Sequence, residues 1–124
     1  RWLAWGDVVG GVTVSPLPPT GAVYPVAERG QQAIWAPDGR SLRYRDGRRF
    51  YEVSIDFSEG VRAGRPRLIA EGPFVRTLGW THTMAPDGRL IAAVGTSGDQ
   101  TRELSVITGF DQELTRLGGP QRER

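Results

Sequence analysis

The strings Trp35-Ala36-Pro37-Asp38-Gly39-Arg40 and Met84-Ala85-Pro86-Asp87-Gly88-Arg89 are near-copies of one another, set 49 residues apart. Each reads as a turn. Pro37 presets φ for the first central position of a type I turn, Asp38 can accept a hydrogen bond from its own local backbone, and Gly39 supplies the left-handed conformation that closes a bulged hairpin. Pro86, Asp87 and Gly88 repeat that chemistry. One strand is therefore expected to end near Trp35 and near Met84. The next leaves the turn through Leu42 and Tyr44 in the first copy, and through Ile91 and Ala93 in the second.

Beyond those strands the first copy continues with Asp46-Gly47, a hairpin signal, and then the alternating run 50–57. After the linker Gly64-Arg65-Pro66 a fourth short strand is expected at 67–70. The second copy matches with Gly98-Asp99 and a strand at 104–107. Four short antiparallel strands in a period of roughly 40 to 50 residues are the content of one β-propeller blade.

Upstream lies part of a third unit, with strands at 2–5, 12–17 and 22–27, a turn at 6–11, and no copy of the turn string. A blade cut after its first strand would leave that remnant. Arg1, where an initiating methionine would stand, carries the same expectation of a chain that begins inside a longer one. At the other end Phe110, Leu114 and Leu117 fall at helical spacing, Gly118-Gly119-Pro120 would stop a helix, and 121–124 is a polar tail. The expected fold is all-β: a partial β-propeller of roughly two and a half four-stranded antiparallel blades, with a short C-terminal helix. Its expected division is a three-stranded partial blade over 1–29, a complete blade over 30–78, and a last blade with helix and tail over 79–124.

Composition agrees with this reading. The 17 glycines and 9 prolines among 124 residues supply turns, and 38% apolar content suffices for a packed core. No run approaches the roughly 18 apolar residues of a membrane span, so no membrane contact is expected within this segment. The absence of cysteine excludes disulfides and thiolate metal sites, and leaves the compartment open. All 16 basic residues are arginine, which excludes the lysine of a phosphate-binding loop and Schiff-base chemistry. With 14 acids interleaved and a net charge of +2, no nucleic-acid partner is expected.

The two strings resemble the Trp-Ser-Pro-Asp-Gly-Arg signature of the TolB-like, WD40-like β-propeller repeats of bacteria. Ala36 and Ala85 stand where that family has serine, and Met84 where it has an aromatic residue. Residues 107–117 also resemble the segment that closes propellers fused behind bacterial serine/threonine protein kinase domains. The resemblance implies a sensory or interaction module, and a partner that is a protein or a small ligand of unspecified kind. No kinase motif is present, since the chain has neither a Gly-rich loop nor His-Arg-Asp nor Asp-Phe-Gly.

Residue by residue, structural roles outweigh chemical ones. His82 is the one histidine, and without a nucleophile or second ligand it makes neither a triad nor a zinc site. Asp38 and Asp87 belong to their turns, and so do Asp46 and Asp99. Arg40, Arg43, Arg45, Arg48 and Arg49 read as a solvated strand face or a charge-protected edge, the sharper alternative being a patch for an anionic partner. Arg62, Arg65 and Arg67 lie too close to glycine and proline turns to form a site. Trp35, Tyr44, Phe50, Tyr51, Phe57, Phe74 and Trp80 are expected to pack between blades.

No catalytic, cofactor-binding or metal-ligating residue is assigned, and the motif residues Trp35, Pro37, Asp38, Gly39, Pro86, Asp87 and Gly88 are structural. The functional expectation is a non-catalytic binding module of a larger bacterial protein, such as a receptor-type serine/threonine kinase. The alternatives are the propeller of a prolyl-oligopeptidase-like hydrolase and a stand-alone periplasmic TolB-like protein.

Overall fold

The computed structural model describes residues 1–7, 9–75, 79–95 and 103–107. Every regular element among them is a strand, and every strand pairing is antiparallel. Strands β1 (Trp2–Asp7), β2 (Gly11–Pro16) and β3 (Tyr24–Ala27) form a first sheet in that order. The second is built from β4 (Gln31–Trp35), β5 (Ser41–Asp46) and β6 (Arg49–Asp56), with both β7 (Arg62–Ala63) and β8 (Arg67–Glu71) pairing with β6. In the third, β9 (His82–Met84), β10 (Leu90–Val94) and β11 (Glu103–Ile107) lie side by side. The expected C-terminal helix at 110–117, the tail at 121–124 and Asp99 lie outside the described residues.

Two local differences from the sequence reading stand out. The first turn is tighter, because β1 extends through Gly6 and Asp7 and β2 begins at Gly11. The chain just ahead of the linker Gly64-Arg65-Pro66 contributes β7, whose two residues pair with Ile55 and Asp56 before β8 takes the register opposite Arg49 to Glu52. Two residues carry no period, so nothing in the sequence announces that strand.

Side-chain alternation places the middle sheet between its neighbours. Leu42 and Tyr44 of β5 and Val53 and Ile55 of β6 share one buried cluster with Val12, Val14 and Val26 of the first sheet. On the opposite face Phe50 of β6 joins Ile69 and Ala70 of β8, Phe74, and Leu90 and Ala92 of β10. The chain from Pro73 to Val75 continues the third sheet, since Val75 N–H donates to Ala93 C=O (2.9 Å) and Gly95 N–H to Pro73 C=O (2.7 Å). The three sheets therefore pack in chain order, with the middle one covered on both faces.

The first contact is close enough to need a glycine. A Cβ on Gly6 would lie 2.8 Å from Gln31 Cα and 3.0 Å from Gly30 O, so β1 and β4 approach backbone to backbone.

Candidate functional site

The two turn strings fold alike. Gly39 N–H donates to Ala36 C=O (2.9 Å) and Gly88 N–H to Ala85 C=O (2.9 Å). Asp38 Oδ1 accepts from Arg40 N–H (2.8 Å) and Asp87 Oδ1 from Arg89 N–H (3.1 Å). That bond, with the Arg89 side chain, holds the Asp87 carboxyl below the ordinary carboxylate range. Gly39 (φ +67°) and Gly88 (φ +87°) take the left-handed conformation that such a turn requires. Pro37 and Pro86 are exposed beside them, and Trp35 is half-buried against Phe57, with ring centroids 6.2 Å apart.

The densest polar chemistry lies between the second and third sheets. Arg45 is 2% exposed. Its Nε donates to Gly47 C=O (2.7 Å), Nη2 to Phe74 C=O (3.0 Å), and Nη1 to Thr81 Oγ1 (2.6 Å) and Val75 C=O. Thr81 hands the chain on by donating its hydroxyl to Gln32 Oε1 (2.9 Å). The same oxygen faces Thr81 N–H at 3.3 Å and His82 Nδ1 at 3.1 Å, while Gln32 Nε2 donates to Gly79 C=O. Gln32 holds an unusual φ of +54° and lies where the register between β4 and β5 shifts. Gln32 and Thr81 are themselves 49 residues apart, so the two repeats meet at equivalent positions.

This placement corrects two sequence readings. Arg43 and Arg45 do not form a solvated face: Arg43 donates to Gly88 C=O and pairs with Glu52 at 2.8 Å, and Arg45 is enclosed. The third sheet covers that side, so alternation of apolar residues with arginines marks two buried faces. The other arginines are separately placed: Arg49 pairs with Glu71 at 3.3 Å, Arg48 donates to Gly72 C=O at 3.4 Å, and Arg40 is exposed. Trp80 is 66% exposed and does not fill a wedge between sheets, because it sits in the loop ahead of β9 with its ring tilted against His82 at 6.1 Å.

Burial works to raise the Glu52 carboxyl, but bonds from Arg43 and Arg67 outweigh it and hold the group below its usual range. Burial pushes the Tyr44 phenol up to about 12, with Tyr51 and Asp46 adding to it. His82 moves the other way. Burial lowers it to about 4, the hydrogen bond with Gln32 opposes that shift, and the positive charge of Arg45 reinforces it.

Two surface clefts flank the middle sheet. One, of about 390 Å³, lies between the first and second sheets, where Tyr44 and Tyr51 stack at 5.6 Å and the Arg29–Asp46 ion pair (3.5 Å) stands beside them. The other, of about 590 Å³, is lined by Arg40, Ser54, Asp56, Ser58 and Arg62 on the far end of β6 and beside β7. Among the described residues no group of three or more His, Asp or Glu could hold a metal ion.

Sequence reasoning singled out His82 but not Gln32, whose repeat-equivalence to Thr81 was the available signal, nor the cleft between Tyr44 and Tyr51. Comparison with protein-family models, with curated proteins and with solved structures returns no match.

Proposed function

We propose that these sheets are consecutive blades of a β-propeller of the bacterial TolB-like, WD40-like kind, serving as a non-catalytic scaffold that binds a protein or small ligand within a larger protein such as a receptor-type serine/threonine kinase. One observation carries the reading. Leu42 and Tyr44 stand four and two residues ahead of Asp46, which pairs with Arg49 at the end of its hairpin, and they are 0% and 3% exposed beneath the first sheet. Leu3 and Trp5 stand at the same offsets from Asp7, which pairs with Gly11, yet they are 47% and 39% exposed. The first sheet thus offers a further sheet the face that the middle sheet already buries.

Three such sheets are too few to close a ring, which takes about four to eight blades. A scaffold role accords with the enclosure of His82 and with the open cleft beside Tyr44 and Tyr51.

Sedimentation velocity on the 124-residue chain tests the stacking argument. Self-association is expected at micromolar concentration, weakened by Leu3→Arg and Trp5→Arg. A compact monomer that melts cooperatively and is indifferent to both substitutions would overturn it.

A further inference from the structure

We propose that the joint between the second and third sheets is an acid-sensitive latch, in which uptake of one proton at His82 Nε2 separates β9 from β4 and β5. The inference goes beyond the scaffold reading and rests on hydrogen bonds that hold whether or not the sheets belong to a ring.

The orientation of Gln32 fixes the chemistry. Its Nε2 donates to Gly79 C=O, so the atom turned toward Thr81 and His82 is Oε1, which can only accept. His82 Nδ1, 3.1 Å away, must therefore carry the imidazole proton. The other nitrogen, Nε2, holds the lone pair, and it is buried with no hydrogen-bond partner among the described residues. His82 is 5% exposed, and its ring meets the Phe50 ring edge-to-face at 4.7 Å.

A proton arriving at Nε2 would create a cation with no acceptor in reach among the described residues. The groups around it do not help. β4 presents Gln32 and β6 presents Phe50, neither of which titrates, while the register partner on β10 is Ala92. The charge that β5 presents is Arg45, already positive and joined to the same network through Thr81. The imidazolium is accommodated by letting water reach Nε2, and that requires β9 to part from Gln32 and Arg45.

The direction of the pH effect follows. Because the folded chain holds His82 at about 4, against 6.5 for a free imidazole, its contribution is complete above pH 6.5. It is lost as pH falls from there toward 4. With those two values the unfolding constant should rise about 20-fold between pH 7 and pH 5.

Since His82 is the one histidine, an NMR titration of the imidazole in the 124-residue chain is unambiguous. The expected result is a midpoint well below that of a free imidazole, with the neutral ring protonated at Nδ1. Denaturant unfolding at pH 7 and pH 5 should show the rise, and His82→Asn, which keeps a donor near the Nδ1 position and cannot titrate, should remove most of it. A folded-state midpoint near 6.5, or an undiminished rise in His82→Asn, would overturn the latch. If the variant does not fold, the imidazole midpoint alone decides.

Discussion

Toward the first sheet the middle sheet presents Leu42, Tyr44, Val53 and Ile55; toward the third it presents Gln32, Arg43, Arg45 and Phe50. Apart from Gln32 of β4, the same two hairpin strands, β5 and β6, supply both faces, residue by residue. One junction is closed by apolar packing and a glycine where β1 and β4 approach backbone to backbone, and it holds together through area removed from water. The other combines an apolar cluster with an enclosed guanidinium whose donors reach across to the neighbouring sheet. The first is tolerant of chemistry and sensitive to volume. In the second, the Phe74 and Val75 carbonyls and the Thr81 hydroxyl depend on a donor from the facing sheet.

Substitutions that separate volume from hydrogen bonding sharpen this contrast. Arg45→Met should have the largest effect, because it keeps much of the side-chain bulk but leaves the carbonyls of Gly47, Phe74 and Val75 and the Thr81 hydroxyl without that donor. A loss of about 3 kcal/mol or more in chemical denaturation is expected, since each buried acceptor left without its donor costs about 1 to 3 kcal/mol. If Arg45→Met were nearly neutral, the second junction would be apolar packing after all. Gly6→Ala should come next, at about 1 to 3 kcal/mol, since the added methyl meets Gln31 Cα and Gly30 O rather than a side chain that can turn away. Wild-type stability in that variant would mean that the first junction can shift apart freely.

Gly39→Val probes neither junction and serves as the reference. Open space surrounds that Cβ position, so only the left-handed backbone opposes the change, at about 1 to 2 kcal/mol. A larger loss would show that the turn is coupled to packing.

Much of the strand order was legible because turn chemistry is local. Pro37-Asp38-Gly39 and Pro86-Asp87-Gly88 announce their hairpins without reference to anything distant, and the alternation at 50–57 fixes β6. What lay across from each strand was not legible. Leu42-Arg43-Tyr44-Arg45 reads like a strand with one wet face, and only the arrival of Thr81 and of the Phe74 carbonyl from some thirty residues downstream turns that face into an interior. The cleft beside Tyr44 escaped for the same reason, being assembled from two sheets. Trp80 shows the converse: an aromatic residue expected to fill space stands in the open, because its loop places it before β9 begins.

Among the described residues, Arg43 and Arg45 reach the third sheet through the peptide carbonyls of Gly88, Phe74 and Val75 and the Thr81 hydroxyl. A carbonyl is the same whichever residue bears it. The neighbouring unit can therefore change its side chains, as it has in placing Met84 where the earlier copy has Trp35, and still be gripped so long as its main chain follows the same path. Docking that recognises a trajectory rather than a sequence allows duplicated units to drift apart in composition while remaining side by side.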